Sequence, residues 1–213
     1  METGSWNEYL KFFAALLAIV NPVGAVPVFI NLTTNLAKQE RRHTCFVAAL
    51  ASGIILLAAL LTGEAILSFF GISIASFRVG GGILILLMAI AMLHAKPSSV
   101  KQTDEEIADS ADRDSIAVVP LATPLLAGPG AISTVILYAQ RYTSLMHYLI
   151  LTAAIIVLSL LTWLTFRAGS PIARVLGKTG INVVTRIMGL IMAAVGVEFI
   201  ANGLKQLFPM LAG

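Results

Sequence analysis

The chain has 213 residues, 58% of them hydrophobic and only 12% charged, with a net charge of +3. A water-soluble domain carries about 25% charged residues, so this chain cannot cover its surface in water and lipid is its expected main solvent. One cysteine, Cys45, excludes an internal disulfide, and the mild basic excess reads as membrane topology, with no nucleic-acid partner expected.

Residues 1–6 hold no Lys or Arg, and Glu2 and Glu8 have the wrong sign for the n-region of a cleavable signal. The first apolar segment is therefore expected to stay in the mature protein. A span needs about 20 apolar residues to cross a hydrocarbon core of about 30 Å. Six segments qualify, at roughly 9–31, 45–70, 73–94, 116–139, 144–167 and 184–205.

The first segment is interrupted by Asn21-Pro22-Val23-Gly24-Ala25-Val26-Pro27. Each proline removes a backbone donor and costs roughly 3 kcal/mol in a helix interior. The second segment contains Glu64 and turns sharply through Gly71-Ile72-Ser73 into the third, which opens near Arg78. A buried carboxylate in a span is expensive, so Glu64 is expected either to pair with Arg78 or to couple protons. The loop 96–115 carries Asp104, Glu105, Glu106, Asp109, Asp112 and Asp114 and reads as solvated; nothing fixes those carboxylates as a metal site, and none is expected.

The fourth segment is interrupted in turn, by Gly128-Pro129-Gly130, with Thr123 and Pro124 before it and Ser133 and Thr134 after it. In the last segment Arg186 matches Arg78 as an interfacial anchor or gate, and Glu198 snorkels toward the far end. His43, His94 and His147 sit near segment ends, where solvated imidazoles are ordinary. Trp6, Trp163 and the tyrosines mostly fit aromatic belts.

With six spans both chain ends share a side, and that side holds Lys11, Arg78, Arg141 and Lys205. The other side holds Lys38, Arg41, Arg42, Lys96, Lys101, Arg113, Arg167, Arg174, Lys178 and Arg186. Positive charge marks the cytoplasmic face, so both termini are expected outside.

Two features recur at nearly one offset. Gly71-Ile72-Ser73 leading to Arg78 and Gly81 is echoed by Gly180-Ile181-Asn182 leading to Arg186 and Gly189, and the break at Asn21-Pro22 is echoed at Gly128-Pro129. Ser73 and Asn182 are expected N-caps, and Gly81 and Gly189 close-contact positions. The expected fold is an all-α polytopic membrane protein of six transmembrane helices. It divides into two inverted three-helix repeats, 1–95 and 116–213, joined by the linker 96–115, with the first and fourth spans broken.

In a bilayer, irregular backbone survives only when buried in protein or lining a wet cavity. Matched breaks in inverted halves point to a transporter site near the midplane. A break exposes one half-helix N-terminus, about +0.5 charge, and one C-terminus, about −0.5. Such a site suits a small zwitterion. Packing kinks are the bland alternative.

N-P-V-G-A-V-P-V-F in the first span, P-L-A-T-P-L-L-A-G-P-G-A-I-S in the fourth and T-G-I-N-V-V-T-R-I-M-G-L-I-M-A-A in the last resemble the MarC family of bacterial inner-membrane proteins. Within it, the chain is most similar to the YchE-like branch of neutral amino acid transporters. The resemblance covers the whole chain. It implies a LysE-superfamily-like protein that carries small neutral amino acids such as glycine or alanine, with a proton or sodium ion as coupling cation. Its motif regions fall on Asn21, Pro22, Gly24 and Pro27, and on Pro124, Gly128, Pro129, Gly130 and Ser133. A passive pore and a non-transporting stress-related protein are the competing readings. An enzyme is not expected, nor any cofactor, because no nucleophile, base and metal-ligand set converges.

Overall fold

A computed structural model describes residues 4–34, 36–94 and 117–212. The acidic linker at 96–115 lies outside the described residues, as does the side chain of Pro124. The elements are α1 (Trp6–Val20), α2 (Pro22–Leu32), α3 (Lys38–Phe69), α4 (Ile74–Leu93), a π-helical segment (Ala117–Leu126), α5 (Pro129–Ala139), α6 (Leu145–Arg167), α7 (Gly169–Leu207) and a closing 3-10 turn (Pro209–Ala212). Among the described residues there is no strand.

Five helical stretches are long and apolar enough to cross a membrane: Trp6–Leu32, Lys38–Phe69, Ile74–Leu93, Leu145–Arg167 and Gly169–Leu207. The fourth expected span is not one long helix. It consists of the ten-residue π-helical segment and the eleven-residue α5. The sequence there holds two prolines four apart, Pro120 and Pro124, neither of which has a backbone N–H to donate. Ala127 N–H donates to the Ala122 carbonyl, five residues back, at 2.8 Å.

The turn at Gly71 forms as the sequence suggests. Gly71 has φ +66°, where a Cβ would be strained. Ile72 N–H donates to the Leu67 carbonyl at 2.9 Å, closing α3. Ser73 Oγ then accepts from Ser76 N–H at 3.1 Å and opens α4. The second expected cap differs. Asn182 lies inside α7 and is exposed, because the chain bends earlier, at Gly177 (φ 60°, ψ −176°).

The tightest packing joins α4 to α7, which run antiparallel. A Cβ on Gly82 would stand 2.7 Å from the Gly196 carbonyl, and one on Gly196 2.9 Å from the Gly82 carbonyl. Farther out the same seam sets Gly203 against Ala75 and Gly189 against Ala89. Positions 75, 82 and 89 face 203, 196 and 189, a seven-residue repeat of small side chains that lets the backbones touch. Large apolar side chains that are not in the core point outward, among them Leu61 at 71% exposure and Ile156 at 56%. In a lipid solvent that is their favourable side.

Candidate functional site

At the first junction Asn21 ends one helix and starts the next. Its backbone sits in the left-handed region (φ 45°, ψ 63°), its N–H donates to the Leu17 carbonyl at 2.8 Å, and its Oδ1 accepts from Gly24 N–H at 3.2 Å. Pro22 follows at the first helical position, where its missing donor costs nothing. Asn21 and Pro22 are buried, whereas Pro27 is exposed on the flank of α2. Gly24 packs against the Asn21 amide and the Thr185 hydroxyl of α7, so a side chain there would collide with both.

At the second junction Gly128 caps α5 and Pro129 takes its first position. Ile132 N–H donates to the Gly128 carbonyl at 3.1 Å, and Thr134 Oγ1 donates to the Gly130 carbonyl at 2.8 Å. Gly128, Gly130, Ser133 and Thr134 are buried, Thr123 is half-buried and Pro129 is exposed. Ser133 packs against Gly81 of α4.

The two junctions meet. A Cβ on Gly130 would lie 3.4 Å from Ile19 Cγ2, two residues before Asn21, and 3.2 Å from both Ile85 Cγ1 and Met88 Sδ. Ile19, Ile85 and Met88 are all buried. At Gly130 the meeting point is thus filled by apolar side chains. Asn21, Gly24 and Ala25 N–H at the first junction and Ile132 N–H at the second find acceptors within their own turns, as a low-dielectric surround favours.

Open space lies at both ends of the bundle: a cavity of about 770 Å³ is lined by Leu36, Glu40, Arg42, His43 and Phe46 at the α2–α3 corner, and two smaller ones lie at the amino-terminal end. A cavity of about 330 Å³ opens where α1, α4, α5 and α7 meet, lined by Glu8, Lys11, Arg78, Tyr138, Arg141 and Glu198 among others. A second cavity of about 430 Å³ shares Glu8, Arg78 and Arg141 with it. Glu8 is fully engaged: it accepts from Ser5 N–H at 3.1 Å and from the Tyr142 hydroxyl at 2.9 Å, and pairs with Arg141 at 3.5 Å. The hydrogen bond to Glu8 pushes the Tyr142 phenol pKa above its ordinary value. Arg141 also lies 4.1 Å above the Tyr138 ring.

Glu64 is not paired with Arg78 among the described residues. It is exposed on α3, while Arg78 faces the cavity. The reason is rotational, since Glu64 projects from a different face of α3 from the one packed inside. Arg186 is exposed on α7, away from both junctions. His147 is buried, not solvated, at 1% exposure. Its Nε2 stands 2.9 Å from the Tyr138 carbonyl, which fixes Nε2–H as donor, and its Nδ1 then accepts from the Tyr9 hydroxyl at 3.1 Å. The imidazole so ties α1, α5 and α6 together.

At the opposite end the Phe29 and Phe166 rings stack at 4.6 Å and 9°, with the Arg41 guanidinium 5.3 Å from the Phe29 centroid. These aromatics join α2 to α6 where no cavity lining is shared with the amino-terminal end.

An all-helical bundle with a paired helix break is compatible with more than one family. The family model described as MarC family integral membrane protein matches residues 6–208, almost the whole chain. The chain belongs to the MarC family. It is 48% identical over 203 residues to the UPF0056 membrane protein YhcE of Escherichia coli (strain K12), covering 95% of this chain and 94% of that protein. It is 40% identical to UPF0056 membrane protein PYRAB13050 of Pyrococcus abyssi, covering 94% and 98%, and 40% identical to YvbG of Bacillus subtilis (strain 168), covering 93% and 95%. These MarC relatives are named as membrane proteins, and their names carry no substrate. No solved structure matches the chain.

Sequence reasoning found both junctions of this MarC chain but missed Thr185, the Glu8–Arg141–Tyr142 contact and the His147 tie. The Tyr9–His147, Glu8–Arg141 and Glu8–Tyr142 contacts join residues more than 130 positions apart, and no local pattern signals such pairs. Tyr138 and His147 at either end of one short loop were the available hint.

Proposed function

We propose that the chain is a secondary transporter of small neutral amino acids such as glycine or alanine, working by alternating access between two inverted three-helix halves across the bacterial inner membrane. The observation that carries this reading is the meeting of two helix junctions, one from each half of the sequence, at Ile19 and Gly130 in the core. The antiparallel α4–α7 seam supports it, because those helices are the corresponding third members of the two halves. A junction filled at Gly130, with a cavity toward either end of the bundle, suits a carrier whose two sides open in turn. A passive pore would need a continuous opening past Gly130.

The excess of Lys and Arg on the opposite end orients the amino-terminal end outward, so the cavity faces the periplasm and both termini lie there. The substrate class rests on the family resemblance. A proton or sodium ion is the coupling cation in this reading, lipid is the other partner, and no cofactor or enzymatic role is assigned.

Uptake of radiolabelled alanine into proteoliposomes tests the proposal. Saturable uptake is expected in the wild type. Gly130→Leu is expected to abolish it, because the side chain would drive into Ile85 and Met88, and Gly130→Ala to slow it while the protein stays folded. Uptake that rises linearly without saturation, or wild-type uptake in both variants, would refute the reading.

A further inference from the structure

We propose that the cavity between α1, α4, α5 and α7 is itself a binding site for a small zwitterion, with Arg78 holding its carboxylate and Glu198 its ammonium group. The site is separate from the helix junctions. Its role as a station on a transport route rests on the carrier reading, whereas binding there does not.

The argument starts from which charges are already used. Glu8 and Arg141 neutralise each other at 3.5 Å, and Tyr142 adds a hydrogen bond to Glu8. Arg78 and Glu198 line the same cavity, yet among the described residues neither makes an ion pair or a side-chain hydrogen bond. The half-buried Arg78 guanidinium and the exposed Glu198 carboxylate line one cavity with Lys11 as a further exposed cation, so the lining offers both signs of charge to a ligand that carries both.

Size and lining narrow the class. At about 330 Å³ the cavity is at the small end of ligand sites, which run roughly 300–1,000 Å³. Ala14, Ala15 and Val195 add an apolar wall beside the charged groups. That combination favours an amino acid with a small apolar side chain over a ligand bearing a single charge. Arg presents a planar fork suited to a carboxylate, and a Lys in its place would not reproduce two parallel bonds.

The test is equilibrium binding to the purified protein in detergent, by isothermal titration with glycine, alanine, acetate and methylamine. Alanine and glycine are expected to bind, and acetate and methylamine at least about tenfold more weakly, since each meets one charged group only. Arg78→Gln and Glu198→Gln are expected to weaken alanine about ten- to a hundredfold, the scale of a lost charge-assisted hydrogen bond, and Arg78→Lys to restore part of it. Unfolding midpoints near the wild type establish that the variants fold. Arg174→Gln, an exposed charge on α7 outside the lining of this cavity, serves as the variant expected to bind normally. Absence of binding by both amino acids, or unchanged alanine affinity in folded Arg78→Gln and Glu198→Gln proteins, would overturn the proposal. Alanine uptake by the same variants separates the two readings. Binding lost with wild-type uptake retained removes this site from the route, and binding without any wild-type uptake removes the carrier and leaves the site.

Discussion

Replacing Asn21 separates two contributions that one residue makes at the first junction. Its Oδ1 accepts from Gly24 N–H at 3.2 Å, and its backbone occupies φ 45°. Loss of an N-cap acceptor to Ala costs roughly 0.5–2 kcal/mol, and the left-handed conformation costs a residue with a Cβ and no local hydrogen bond roughly 1–2 kcal/mol more. Asn21→Ala is therefore expected to lose about 1.5–4 kcal/mol. Asn21→Gly keeps the backbone at ease and loses the acceptor only, at a few tenths to about 1 kcal/mol. Asn21→Asp keeps an acceptor, but at 5% exposure inside a span the cost of burying a carboxylate outweighs the favourable helix dipole, so it is expected to be harsher than Asn21→Gly. Equilibrium unfolding in detergent, read by tryptophan fluorescence or circular dichroism, measures all three. Equal losses for Ala and Gly would show that backbone conformation contributes nothing. An Ala variant as stable as the wild type would refute the capping account altogether.

Two further substitutions probe packing and the end tie. Gly82→Ala sets a Cβ 2.7 Å from the Gly196 carbonyl and is expected to cost about 1–3 kcal/mol, whereas Gly80→Ala, with nothing within 4 Å, is expected to be neutral or slightly stabilising; matched unfolding midpoints for the pair would contradict the seam. Tyr9→Phe removes the hydroxyl that His147 Nδ1 accepts from and leaves a buried acceptor unmet, a loss of roughly 1–3 kcal/mol; an unchanged midpoint would mean the tie contributes nothing.

Much of this architecture is legible in the residues because proline and glycine constrain the backbone locally. Asn21-Pro22 and Gly128-Pro129 mark both junctions, and Gly71 marks its turn, since each leaves the chain few alternatives. The depth of the second interruption was not legible. The backbone there winds as a π-helical segment, which only the hydrogen-bond register, such as Ala127 N–H to the Ala122 carbonyl, reveals. Asn182 misled as a cap because Gly177 already supplies the bend. The breaks suggested bare peptide dipoles facing a shared cavity. At Gly130 the structure has Ile19, Ile85 and Met88 instead, brought there from two other helices. Side chains that arrive from distant segments are what a reading along the chain misses. His147 is the same lesson, for its neighbours Tyr9 and Tyr138 make it a buried connector rather than an interfacial imidazole.

Counterflow tests the carrier claim most directly. Proteoliposomes loaded with unlabelled alanine and diluted into a trace of labelled alanine measure whether outward movement of one substrate drives inward movement of another. Alternating access at a closed junction predicts a transient accumulation of label above its equilibrium level, which then decays as the internal pool empties. Label that climbs only to equilibrium, at a rate indifferent to the internal alanine, would contradict it.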